Sequence, residues 1–268
     1  MRSGSGALFQ PFPMLPGRRA QTWRHQPSFW RPRHFHEETE LNVVFRGSAV
    51  LGVGGHRLGV ARGDVLLFQP GQDHELLEAS PDLELYVVAL NRALSAHLGG
   101  SYSCAQGVRA RLEPSEVDSL EARLAALGEL RDTTAVEAQL TGFFAAVAPR
   151  FGSVHVLSRR ALEVLKVERA WSEVQIADRL GANPTQLSRY FHRDWGVRLS
   201  EYRARLRLIE FVRLVDAGQP FSHAALGADF GSYAQCHRVF RRLVGFAPND
   251  YFSGARREVD AAIAGAAR

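Results

Sequence analysis

The 268-residue sequence holds only two cysteines, Cys104 and Cys236, and a single lysine, Lys166. Two cysteines in different halves of the chain give no disulfide framework. A cross-linked secreted scaffold is excluded, and a reducing, cytoplasmic setting is the expected one. No apolar run approaches the roughly 20 residues that cross a bilayer, so no membrane span is expected. The N-terminus carries no sustained apolar segment, so no secretory signal is expected either. A phosphate-cradling Gly-Lys-Ser/Thr loop, a dinucleotide glycine fingerprint and a Gly-x-Ser-x-Gly elbow are all missing.

With so little lysine, the basic charge is carried by arginine, which suits planar, bidentate contacts and also follows from GC-rich coding. The formal net charge is +5. It is uneven, with 19 basic and 12 acidic residues from Arg150 onward and 14 and 16 before it. A basic C-terminal half beside a near-neutral N-terminal half predicts that only the former meets nucleic acid.

Two stretches of that basic half share one plan. In Ile176 to Phe191, Ser172 caps a helix expected to carry Val174, Ile176, Ala177 and Leu180 inward, and Gly181 frees the turn. Asn183 and Pro184 then suit the cap and first position of a second helix. That helix puts Leu187 and Phe191 on one side. Its polar residues Thr185, Gln186, Ser188, Arg189, His192 and Arg193 are the candidates to face DNA. The second stretch buries Cys236, Val239, Phe240 and Leu243 and offers Tyr233, Ala234, Gln235, Arg238, Arg241 and Arg242. Arg189 and Arg238, Phe191 and Phe240, Gly196 and Gly245, and Tyr202 and Tyr251 are all separated by the same 49 positions, which marks an internal duplication. A helix–turn–helix sets its second helix in the major groove, where Arg reads guanine and Gln reads adenine.

The run DFGSYAQCHRVFRRLVGFAPNDY, Asp229 to Tyr251, resembles the signature of the AraC/XylS transcription regulators, and residues 155 to 254 resemble their double helix–turn–helix domain. The resemblance implies that both second helices enter successive major-groove segments, with Thr185, Arg189, Tyr233, Ala234, Gln235 and Arg238 as base readers. Asp229 stands where the family usually has Gly, and Cys236 where an aromatic is usual.

Between Arg18 and Arg111 the pattern is one of short strands. Leu41 to Arg46, Ala49 to Val53, Arg57 to Val60, Val65 to Phe68, His74 to Glu78 and Glu84 to Leu90 are the candidates. Gly54-Gly55, Gly63-Asp64 and Pro70-Gly71 mark turns. Many strands with no intervening helix indicate an antiparallel sandwich or barrel. HFHEETELNVVFRG and GDVLLFQPGQDH are similar to cupins, which implies a jelly-roll (cupin-like) barrel.

His34, His36 and Glu40 form a His-x-His-x-x-x-Glu series, and His74 follows the Pro-Gly turn. Residues two apart on a strand face the same way, so the set can converge. Two readings stay open. One is a divalent transition metal held by His34, His36, Glu40 and His74, as a sensor or a metal-dependent cupin oxygenase or isomerase. The other is an organic effector pocket at the same place, lined by Trp30, Phe35, Val43, Phe68 and Leu76 beside the histidines.

The period turns helical from Glu113 to Ala148, with Ser115 and Asp118 placed for a capping box. The expected organisation is a tail at 1–17, a sensor domain at 18–112, linker or dimerisation helices at 113–150, the DNA-binding domain at 151–254 and a second tail at 255–268. A long helix, Leu199 to Ala217, is expected to join the two units, with Arg203, Arg205, Arg207 and Arg213 outside. The function expected is effector-controlled, sequence-specific transcription regulation without catalysis. Expected partners are double-stranded DNA, a small-molecule effector, a second copy and RNA polymerase.

Overall fold

The computed structural model describes residues 8–12, 14, 17–25, 32–98, 109–129 and 133–255. Trp30, Cys104 and most of the two expected tails lie outside the described residues.

The N-terminal half is two five-stranded sheets face to face. One runs β1-β3-β8-β5-β6, with β1 Leu8–Phe9, β3 His34–Phe35, β8 His74–Ala79, β5 Ser48–Val53 and β6 His56–Ala61. The other runs β10-β7-β4-β9-β2, with β10 Arg109–Arg111, β7 Asp64–Phe68, β4 Thr39–Arg46, β9 Glu84–Leu90 and β2 Ala20–His25. All pairings are antiparallel except β1 with β3. The expected barrel is therefore a sandwich whose sheets do not close into a ring. Alternation decides what each face does. On β4, Leu41, Val43 and Phe45 point out of the sandwich, while Glu40, Asn42 and Val44 point between the sheets.

The outward apolar face of the second sheet is covered by α2 Pro114–Glu129 and α3 Thr133–Val147, through Val117, Leu120, Leu140 and Phe144. These helices thus bury their apolar stripes on their own domain, and a dimer formed through them would use their polar outer sides. The capping box expected at Ser115 is absent. The helix begins two residues earlier than that cap implies, at Pro114, and the Glu116 carboxylate accepts from the Glu113 N–H at 2.8 Å. Asp118 instead accepts from Arg62 at 2.6 Å. A short helix not foreseen, α1 Arg92–Leu98, follows β9.

The C-terminal half is helical: α4 Val156–Val167, α5 Glu173–Leu180, α6 Pro184–Trp195, α7 Leu199–Asp216, α8 Phe221–Gly227, α9 Tyr233–Val244 and α10 Pro248–Asp250. Ser172 and Gln175 form a full capping box on α5, and the Asn183 side chain accepts from the Thr185 and Gln186 N–H groups at the start of α6. The duplication is physical. Phe191 meets Tyr202 edge-on at 5.6 Å, and Phe240 meets Tyr251 in the same way at 5.5 Å. Gly196 and Gly245 end α6 and α9 in the left-handed conformation. Asp229 adopts φ 65°, the geometry for which its family uses Gly.

The expectation for α7 fails at two arginines. Arg205 and Arg207 are buried rather than outside. Arg207 donates to the carbonyls of Arg169 and Ala170 at 2.8 and 3.0 Å, and Arg203 donates to that of Trp171. A guanidinium can be satisfied by backbone carbonyls as well as by phosphate, so a helix apolar nearly all round draws its arginines inward with it.

The two halves are locked together. Arg205 donates to the Gly71 carbonyl at 3.1 Å and to Asp73, which also pairs with Arg33. The Tyr202 hydroxyl donates to the Pro70 carbonyl at 2.6 Å. Phe9 and Phe35 join the core formed by α7, α8 and α9. The β5–β6 turn lies backbone to backbone on the end of α6, where the Gly55 N–H donates to the Gly196 carbonyl at 2.7 Å. A Cβ at Gly54 would sit 2.5 Å from the Trp195 carbonyl oxygen, so only glycine permits this approach.

Arg92 on α1 donates to Glu210 on α7 at 2.9 Å, and Arg213 donates to the same carboxylate at 2.6 Å. Burial alone would raise the Glu210 pKa, but the Arg213 and Arg92 hydrogen bonds hold it at about 2, below its ordinary 4.5. A depressed carboxyl adds stability above its unfolded pKa that is lost as pH falls through the folded one. Acid unfolding between pH 4.5 and about 2 is therefore expected to be less steep in Glu210→Gln. Urea midpoints across that range check this, and identical slopes in parent and variant would contradict it.

Candidate functional site

Two surfaces carry the chemistry. The first is the paired helices α6 and α9. On α6, Thr185, Gln186, Arg189, His192 and Arg193 are exposed and Ser188 is half-buried. On α9, Ala234, Arg238, Arg241 and Arg242 are exposed, with Tyr233 and Gln235 half-buried. The structure brings each set onto one helix face but ranks its members. Arg193 is held by Asp194 at 2.8 Å, and Arg242 by Glu201 at 2.7 Å. Arg189, Arg238 and Arg241 have no ion pair among the described residues. The Gln235 side-chain oxygen accepts from the Gly231 N–H at 2.8 Å, so it braces the turn before α9. Tyr233 packs on Phe221.

The second surface lies between the sheets. Strands β3, β4 and β8 bring His34, His36, Glu40 and His74 together as the spacing predicts, all buried. One ligand atom from each of the three histidines lies within 4.8 Å of the others. Each ring spends its Nδ1 on a backbone carbonyl. His34 meets Pro32 at 2.9 Å, His36 meets Glu38 at 3.1 Å and His74 meets Gln72 at 3.3 Å. A carbonyl only accepts, so each Nδ1 carries a hydrogen and Nε2 is the nitrogen left for the middle of the cluster. The Nε2 of His36 nonetheless faces Glu40 Oε2 at 2.8 Å, and that of His74 faces the same oxygen at 3.3 Å. Glu40 is fixed from its other side by the Asn42 amide at 2.8 Å. Asn42 escaped the sequence reading, though its place two residues after Glu40 on one strand was the signal. Phe68 stacks on the His74 ring at 4.3 Å. Of the expected organic-pocket residues, Leu76 lines the cavity beside the histidines, while Val43 faces α2 and α3, Phe35 packs into the core of α7, α8 and α9, and Trp30 is outside the described residues.

Charge sharpens the picture. Burial, and then the charges of His74 and His36, lower the His34 pKa well below the ordinary value, so this ring is neutral. Burial lowers His36 as well, against the pull of Glu40. Burial would raise Glu40, yet its contacts with His74 and His36 hold it well below the usual carboxylate range. Burial pushes Glu38 up to about 8, so Glu40 is the one anionic group of the set. Two buried rings, His36 and His74, thus meet acceptors on both nitrogens around one buried carboxylate. The chemistry of three imidazoles and one carboxylate fits a divalent transition metal, with carbonyls orienting the ligands from behind. The cavity beside them is small, about 80 Å³.

The Arg33–Asp73–Arg205 contact and the Tyr202 contact were not foreseen. The first sits one residue from the histidines: Arg33 precedes His34, Asp73 precedes His74, and His34 and His74 are register partners. No single-sequence signal pairs residues so far apart.

A family model described as an AraC-like ligand binding domain matches residues 15–147, and one described as a helix-turn-helix domain matches residues 176–254. A search of curated proteins gave no match. Among solved structures, ToxT from Vibrio cholerae O395 bound to (E)-4-(8-methylnaphthalen-1-yl)but-3-enoic acid is similar at 16% identity and TM-score 0.49. That match covers 87% of this chain and 97% of that one. A DNA-binding transcriptional dual regulator from Escherichia coli K-12 is similar at 22% identity and TM-score 0.33, over 36% of this chain and 95% of that one. The C-terminal domain of AraT, a response regulator from Geobacillus stearothermophilus, is similar at 19% identity and TM-score 0.36, over 37% and 84%. No helix among the described residues is long and apolar enough to cross a membrane. A ligand-binding sandwich joined to a duplicated helix–turn–helix, each matched by its own family model, makes this chain a member of the AraC/XylS family of transcription regulators.

Proposed function

We propose that this regulator reads DNA chiefly with Arg189 on α6 and Arg238 on α9, and that the ligand of its sandwich is a divalent transition metal. His34, His36, His74 and Glu40 would hold the ion. The observation that carries the reading is the one given above: His36 and His74 face acceptors on both ring nitrogens while buried. A cation accepting the Nε2 lone pairs and the Glu40 charge removes that conflict. The cavity of about 80 Å³ argues in the same direction, since it is well below the roughly 300–1,000 Å³ of organic-ligand sites.

The reading includes a route to the DNA-binding half. Ligation would fix the backbone at His34 and His74, and with it Arg33 and Asp73, the two residues beside Arg205 of α7. An ion that binds one arrangement of the halves more tightly than another shifts the balance between them. No catalytic step belongs to this reading, and its place is the cytoplasm, with the DNA.

Untagged protein incubated with zinc, manganese, iron(II) or nickel and then desalted is expected to retain about one ion per chain by elemental mass spectrometry. His34→Ala/His74→Ala is expected to retain none. A parent that keeps no ion under any of these conditions would sink the metal assignment.

A further inference from the structure

A second cavity, of about 480 Å³, lies between the halves and is separate from the histidine site. Its walls come from α1 and from the Glu37 and Pro70 turns on one side, and from α4 and α7 on the other. Its floor is apolar, built by Leu162, Leu165, Leu206 and Ile209. The polar groups around it are unequally satisfied. Glu210 is met by Arg92 and Arg213, with Arg169 at 3.9 Å. The Ser95 hydroxyl shares a 2.6 Å hydrogen bond with Thr39. The Glu37 side chain is half-buried and has no hydrogen bond or ion pair among the described residues.

We infer that this cavity is a binding site for an amphiphilic organic cation, with its apolar body on the leucines and its ammonium or amidinium head on Glu37. The volume is within the range of small-molecule sites. A half-buried carboxylate that makes no hydrogen bond of its own gains from a charged donor. Because the two halves supply opposite walls, an occupant here favours the arrangement in which both walls are present, and this regulatory consequence rests on the proposed DNA-reading function.

The test uses the full chain and two probes of one length and opposite head, octylammonium and octanoate, each below its micelle concentration. Calorimetry is expected to give saturable octylammonium binding at least about tenfold tighter than octanoate. Glu37→Gln is expected to remove that preference. Ala96→Trp, which fills the cavity from an exposed lining position, is expected to abolish binding. Octanoate binding as tightly as octylammonium, octylammonium binding that survives Ala96→Trp, or no binding of either probe would each overturn the inference. DNA affinity is measured separately, so its loss in the unliganded chain would count against the regulator reading and not against this site.

Discussion

Asp73→Ala is expected to be among the most destabilising single changes in the chain, at about 3–5 kcal/mol. Asp73 is fully buried between Arg33 and Arg205, and Arg205 is itself only 5% exposed, over the Phe35 ring. Removing the carboxylate leaves a guanidinium in the interface with only the Gly71 carbonyl and a Glu201 oxygen at 3.7 Å. The cost lies chiefly in stranding that charge, so Asp73→Asn should be nearly as damaging. The double change Asp73→Ala/Arg205→Met should recover much of the loss, since the arginine that remains, Arg33, is part exposed and keeps access to water. Urea unfolding of the parent and the three variants checks this. A loss below about 1 kcal/mol for Asp73→Ala would place the interface energy elsewhere.

Arg189→Ala and Arg238→Ala are each expected to weaken binding to a specific duplex by about 1–3 kcal/mol. They sit on separate helices, so the double variant should lose close to the sum. Arg193→Ala and Arg242→Ala should cost less, because Asp194 and Glu201 already hold those side chains. Binding to a random duplex should fall by similar, smaller amounts for all four, as expected of phosphate charge alone. Fluorescence anisotropy at fixed salt measures both. An Arg193 or Arg242 loss larger than those of Arg189 and Arg238 would reverse the assignment of readers.

Local signals carried much of this fold. Glycine turns and alternation placed six strands, and caps at Ser172 and Asn183 placed α5 and α6 to the residue. The fixed 49-residue offset became a repeated Phe–Tyr contact. The His-x-His-x-x-x-Glu series became a cluster because the strand period is two. What stayed hidden was chemistry that sequence cannot address. An arginine on α7 looks the same whether it meets phosphate or a carbonyl of its own chain, and Arg205 and Arg207 chose the latter. Strand β2 carries Trp23 and Arg24 in a pattern too weakly alternating to stand out. The glycine-on-glycine contact between the β5–β6 turn and the end of α6 joins residues over 130 positions apart, and nothing local announces it.

The measurement that bears most directly on the account is duplex affinity of the chain with and without bound metal, on a site selected from a random duplex pool. The account predicts that loading the ion changes the parent's Kd by about tenfold or more, a coupling of about 1.4 kcal/mol, and leaves His34→Ala/His74→Ala unmoved. Equal affinity of the metal-free and metal-loaded parent would contradict it.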